Sequence, residues 1–303
     1  MRQLLIIALV GFGAQLVDGA LGMGYGATSS SFLLVAGLTP VMASATVHLA
    51  EVGTNIASGV SHWKLGNVDW QLVARMGVPG AIGAVLGATV LAQLSTEAAR
   101  PLMAMILGGL GMYILLRYVF RPPQVAHARR SPHGKAFLVP LGLVGGFVDA
   151  TGGGGWGPIS TTTLLSAGKT SPRTVIGSVS TSEFLVSASA SVAFLVHLGL
   201  LGIDWGLVIA LLIGGVVAAP IAAWLVSKVP PRIMGIAVGG LIIMTNLRTL
   251  LQAGGMTGDS LTVGFWAFLA VWMTLIVVMA LRETRQRRAE KAAAEAAEAE
   301  WSI

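Results

Sequence analysis

The chain has 303 residues, 54% hydrophobic and 11% charged, with no cysteine and a formal net charge of +6. A typical soluble domain carries about 25% charged residues, so a water-soluble fold is excluded; the missing cysteines likewise exclude disulfides, thiolate metal sites and thiol redox chemistry. The Lys and Arg residues stand in short loops and the C-terminal tail, where they orient a membrane protein, and nucleic acid is not expected as a partner.

Residues 1–17 have one basic residue and an apolar run like that of a weak signal peptide. The apolar pattern continues past Gly26 with no A-x-A cleavage site, so the segment is expected to stay on the chain. Residues 4–37 would make one helix about 50 Å long at about 1.5 Å per residue, too long for a single span. The middle of this stretch, Asp18-Gly-Ala-Leu-Gly-Met-Gly-Tyr-Gly26, is rich in glycine, so the element is expected to be two half-helices. Helices over 40–62, 70–94 and 100–117 follow, then a linker carrying Arg117, Arg121, Arg129, Arg130 and Lys135.

The second half repeats this order. Asp149-Ala-Thr-Gly-Gly-Gly-Gly-Trp-Gly157 aligns with the first glycine-rich break. A hydroxyl cluster follows each break, Thr28 to Ser31 and Ser160 to Thr163, and then a turn ending in Pro40 or Pro172. Next comes a helix bearing one carboxylate at the same distance from its proline, Glu51 or Glu183. Asp69-Trp70 matches Asp204-Trp205. Helices are expected over 172–195, 205–226 and 232–251, then one further span over 261–281 and a charged tail from Arg282 to Ile303 that reads as a solvated helix. The parts are therefore residues 1–118, a linker 119–135, a second repeat 136–252, an extra helix 253–282 and a tail 283–303.

The linker and the tail are the two most basic segments, so both are expected in the cytoplasm. An even number of crossings then separates them, which is met if each break is a re-entrant hairpin. The fold expected is an all-α polytopic membrane protein of two inverted repeats. Each repeat is a broken-helix hairpin plus three transmembrane helices, and one more transmembrane helix follows at the C-terminus.

Breaking a helix at membrane depth exposes amides that protein, water or ligand must satisfy. Glycine lets an anion approach the backbone, and half-helices starting near Ala27 and Pro158 aim positive dipole ends at it. The candidate substrate-binding residues are accordingly Gly24, Tyr25, Gly26, Ser29, Ser30, Gly155, Trp156, Gly157, Ser160 and Thr161. Glu51 and Glu183 lie in apolar helices, where an ionised carboxylate is costly unless paired or protonated. With His48, one turn before Glu51, they are the candidate proton-coupling or gating groups, and hydrogen bonding that holds the breaks is the competing use. Asp18 and Asp149 are candidate caps for the exposed amides, and Asn55 is a candidate pore-lining donor. Close helix packing is expected at Gly83/Gly87, Gly142/Gly146 and Gly235/Gly239. Trp63, Trp70, Trp205, Trp266 and Tyr118 are expected to be interfacial anchors. The G-x-G-x-x-G match over 152–157 lacks a flanking βαβ unit and is discarded. No nucleophile–base pair or metal-ligand cluster is evident, so no enzyme activity, cofactor or metal is expected.

With both breaks, hydroxyl clusters and membrane glutamates in order, the sequence resembles the sulfite exporter TauE/SafE family of transporters over about residues 9–252. The resemblance implies passage of sulfite, sulfonates or other small organosulfur or carboxylate anions across the bacterial inner membrane. The expected function is a secondary transporter, in the first place an exporter, that uses alternating access. The partners expected are the small anion, the lipid bilayer and protons. A passive anion channel, uptake of a carboxylate or sulfonate, and a homodimer are left open.

Overall fold

A computed structural model describes residues 2–21, 23–120, 128, 130–226 and 231–301, without the side chains of 2, 19, 20, 219, 220, 222–226, 231, 286–288 and 290–301. Arg121, Arg129 and Lys228 lie outside the described residues, as do the side chains of Arg287 and Arg288. Among the described residues the chain is helical without strands: α1 (Arg2–Leu21), α2 (Tyr25–Val35), α3 (Pro40–Lys64), α4 (Trp70–Gln93), α5 (Thr96–Phe120), α6 (Lys135–Gly152), α7 (Trp156–Ala167), α8 (Pro172–Leu198), α9 (Trp205–Val226), α10 (Pro231–Ala253) and α11 (Asp259–Trp301). Six stretches are long and apolar enough to cross a membrane: Trp70–Gln93, Thr96–Phe120, Lys135–Gly152, Pro172–Leu198, Arg232–Ala253 and Asp259–Arg285. The chain is a multi-pass membrane protein.

Matching stretches of sequence build matching helix starts. Thr39 accepts a hydrogen bond from the Met42 amide ahead of α3, as Ser171 does from Thr174 ahead of α8, and each cap precedes a proline in the first turn, where its missing N–H costs nothing. Asp69 Oδ1 receives the Gln71 and Leu72 amides at the start of α4, and Asp204 Oδ1 receives Leu207 at the start of α9. The helices also pair alike: α1 lies along α9 as α6 lies along α4.

Glycine makes these seams close. A Cβ on Gly83, Gly87, Gly142 or Gly146 would strike backbone of the facing helix in the α4–α6 pair, and one on Gly11 or Gly214 would do so in the α1–α9 pair. Gly235 is covered by the Tyr118 ring. Tyr118 is therefore buried against α10 instead of anchoring at an interface, and Arg232 donates to the Tyr118 and Val119 carbonyls beside it. Trp63, Trp70, Trp205 and Trp266 face outward.

Several termini meet at one end of the molecule. The Ser131 amide donates to Asp69 Oδ2, the Asp69 amide to Ser178 Oγ, and the Ser171 amide to the Ala128 carbonyl. The end of α3, the linker and the beginning of α8 are thus neighbours. Each break ends one helix and starts the next: α1 gives way to α2 at Tyr25, and α6 to α7 at Trp156, slightly earlier than Ala27 and Pro158. These two short gaps lead to the site.

Candidate functional site

The two breaks meet backbone to backbone. An ideal Cβ on Gly26 would stand 2.7 Å from Gly154 Cα and 2.8 Å from Glu51 Oε1. A Cβ on Gly157 would stand 2.9 Å from Met23 Cα. In the sequence alignment Gly157 matches Gly26 and Gly154 matches Met23, so the crossing is formed twice, once with each break in each role. Gly154 adopts φ +148° and Gly24 φ +110°, both costly for a residue with a side chain. Gly155 is less crowded, its Cβ position lying 3.1 Å from Val148 Cγ1.

Asp149 holds the second break. Its Oδ1 accepts from the Gly155 amide at 2.6 Å and the Trp156 amide at 2.9 Å, and its Oδ2 lies 3.1 Å from His48 Nε2. These amides belong to the first turn of α7, where a carboxylate is also favoured by the helix dipole. At the first break Asp18 receives the Tyr25 amide. Tyr25 and Trp156 spend their side-chain donors on helix carbonyls, Leu211 O at 3.2 Å and Val179 O at 3.1 Å. Both are buried and fix the breaks against α9 and α8.

His48 binds across the molecule to Asp149, not along its own helix to Glu51, and is completely buried with its partner. Its Nδ1 lies 2.8 Å from the Ser44 carbonyl. Two further links reach the same stretch of chain: Ser44 Oγ donates to Ala150 O at 2.6 Å, and Ser30 Oγ donates to Gly153 O. Glu51, 2% exposed, accepts from Ser187 Oγ at 3.1 Å through Oε2, and Ser187 receives Asn55 Nδ2 at 3.3 Å. Among the described residues the other Glu51 oxygen has no hydrogen-bond partner, nor do the buried hydroxyls of Thr28, Ser29, Thr151 and Ser160. Thr161 is buried beside Ser160. Glu183 is half-buried and makes no hydrogen bond to the described residues, but it lies within electrostatic reach of Glu51, Asp18 and Asp149.

One ligand-type atom from each of His48, Glu51 and Asp149 lies within 4.8 Å of the others. The imidazole and Asp149 are bonded to each other, and Asp149's second oxygen is taken by two amides. The trio brings three buried titratable groups within reach of one another.

The family described as sulfite exporter TauE/SafE matches residues 7–249, a stretch that contains both breaks and stops before α11. This chain belongs to the TauE/SafE family. A protein of Bacillus subtilis (strain 168) named "Probable membrane transporter protein YtnM" is 47% identical over 277 residues, which cover 91% of this chain and 92% of the relative. No solved structure matches the chain. Membership makes the chain a membrane transporter and not an enzyme.

Sequence reasoning singled out the breaks and, among the residues that join them, Gly26, Ser30, His48 and Asp149, but not Ser44, Gly153 or Gly154. Ser187 was discoverable, because it occupies the place in α8 that Asn55 holds in α3, fifteen residues after the leading proline in each. Asn246, an amide in the apolar middle of α10 that donates to Ser31 Oγ at 2.9 Å, also stood out by composition. Ser44, Gly153 and Gly154 carried no such mark.

Proposed function

We propose that this transporter exports a small anion such as sulfite or an organosulfonate across the bacterial inner membrane by alternating access. The anion is held where the two breaks cross, and a proton accompanies it. The observation that carries this reading is the crossing itself: two helix starts, glycine contacts without side chains, and the buried, unpartnered hydroxyls of Ser29, Ser160 and Thr28 beside it. Helix N-termini and hydroxyl donors suit an oxyanion. At the second break Asp149 already takes the Gly155 and Trp156 amides, so hydroxyls, more than amides, bind the substrate there.

Glu51 sets the charge requirement. Its free oxygen points at Gly26, where an ionised carboxylate would repel the anion. In a water-poor interior a lone charge costs about 2.5–3.5 kcal/mol even on insertion scales. Protonation of Glu51 removes both costs, which is why proton and anion travel together. The matching helix starts, the parallel pairings α1–α9 and α6–α4, and the meeting of the end of α3 with the beginning of α8 support two inverted repeats with re-entrant breaks.

Purified protein in liposomes loaded with sulfite tests the reading. Saturable efflux, with uptake of labelled sulfite driven by unlabelled sulfite inside, is expected. Flux that rises linearly with concentration and shows no such exchange would make the protein a channel. A thermal-shift series over sulfite, sulfonates and carboxylates ranks the substrates.

A further inference from the structure

We infer that His48 and Asp149 hold the transported proton between them, so that Asp149 is a proton-carrying residue of the cycle as well as a helix cap. The inference rests on the anion-transport reading and names the place of its proton.

The argument is an inventory of hydrogens. Ser44 Oγ has one hydrogen and gives it to Ala150 O at 2.6 Å. His48 Nδ1 therefore faces only acceptors, the Ser44 carbonyl at 2.8 Å and Ser44 Oγ at 3.3 Å, and must itself carry hydrogen. In a neutral imidazole with hydrogen on Nδ1, Nε2 is a lone pair. That lone pair would lie 3.1 Å from Asp149 Oδ2, whose partner oxygen is saturated by two amides and which is itself an acceptor when ionised. Two acceptors at this distance in a buried place repel. One further proton lies between them, whether drawn on the imidazole or on the carboxyl, and the pair is then neutral overall.

The proton also joins two parts of the chain, since His48 sits in α3 and Asp149 in α6. When it leaves, Nε2 and Oδ2 face each other with lone pairs and the bond is lost, while Ser44–Ala150 and Ser30–Gly153, which do not titrate, remain. The nearest recipient is Glu51, with a ligand atom within 4.8 Å of both: Asp149 or His48 gives up the proton and the Glu51 carboxylate becomes a carboxylic acid. The groups acting on His48 are Asp149 and Glu51; those acting on Glu51 are His48, Asp149 and Asp18 of α1. Tyr25 of α2 faces Glu51 and Asp18, and Glu183 of α8 feels the same three carboxylates. The sequences of α7 and α9 contain no titratable side chain. The first break has no counterpart to this pair, because Ser180 stands where His48 would and bonds Ser58 at 2.7 Å.

Asp149→Asn tests the idea with little disturbance. The amide oxygen still accepts from Gly155 and Trp156, and the NH2 group donates to the Nε2 lone pair, so every bond is kept without a shared proton. Proton exchange is read with a pH indicator in weakly buffered detergent as the full-length protein binds methanesulfonate, which stays ionised. Because the pair already holds the proton that Glu51 needs, binding moves it within the wild type and exchanges little with the medium. Asp149→Asn and His48→Gln, whose pair holds none, are expected to take up about one proton per anion. An Asp149→Asn signal equal to wild type overturns the inference, as does uptake of a full proton per anion by the wild type; both leave the transport reading standing. If neither methanesulfonate nor sulfite binds wild type, that reading fails, and infrared titration of the ligand-free protein decides the inference. A titrating carboxyl or imidazolium band absent from Asp149→Asn and present in Glu183→Gln supports it, and a spectrum unchanged in Asp149→Asn overturns it.

Discussion

At the first break Asp18 receives the Tyr25 amide, and the chain position facing Gly157 is Met23. At the second, Asp149 receives two amides and an imidazole, and the position facing Gly26 is Gly154. One plan has been fitted out in two ways. The second break is clasped by Ser30, Ser44 and His48, all from elements preceding the linker. The first is fixed by Tyr25 on the Leu211 carbonyl and by Asn246 on Ser31, bonds that involve no ionisable pair. The difference teaches that a repeated sequence sets the position of a site, while single substitutions within the repeat decide which copy carries an ionisable pair.

The contrast is broken most severely at the crossing. Gly154→Val is expected to abolish flux and folded protein together, because its Cβ would meet the Ala27 amide and Gly26 and its φ is left-handed. Overpacking and backbone strain each cost about 1–3 kcal/mol. Gly24→Ala, whose nearest contact is 3.4 Å, is expected to bear only the strain; thermal unfolding in detergent compares the two. Next, Asp149→Ala is expected to cost about 3–5 kcal/mol as the truncation of a buried pair, whereas Asp18→Ala, losing one amide bond, costs about 1 kcal/mol. Equal losses would show that the breaks are held alike.

The carboxylates give the third test, by pH. Anion binding by the wild type is expected to weaken as pH rises, because Glu51 loses its proton and repels the anion. Glu51→Gln, always neutral, is expected to bind over the whole range, with Glu183→Gln keeping the wild-type profile; titrations across pH check this. The smallest effect is expected for Tyr25→Phe, about 1 kcal/mol for its bond to Leu211 O, read as a shift in melting temperature.

Much of this was legible in the residues. The spacing from Pro40 and Pro172 placed Glu51 and Glu183, and the Asp-to-glycine pattern located both breaks. Helix starts were legible because caps are local: Thr39, Asp69, Ser171 and Asp204 act within three residues of themselves. What was not legible is set by tertiary register. His48 has Glu51 within reach along its helix, yet its bond goes to a residue 101 positions away. Gly154 looked like any member of a four-glycine run until Gly26 was laid against it. Tyr118 has the composition of an interfacial anchor, and only the position of Gly235 buries it.

The last helix stands apart from all of this. Most of the described side chains of α11 face outward, with Val263, Trp266, Val271, Val277 and Val278 exposed, and Trp272 reaches in to donate to the Ile236 carbonyl and cover Gly240. None of the hydrogen bonds around Glu51, His48 or Asp149 involves it. Such a helix is an outrigger: lengthening, shortening or fusing a reporter to it loads the hull from outside and leaves the keel untouched. The tail beyond Leu281 is accordingly the place to attach a label or a second domain.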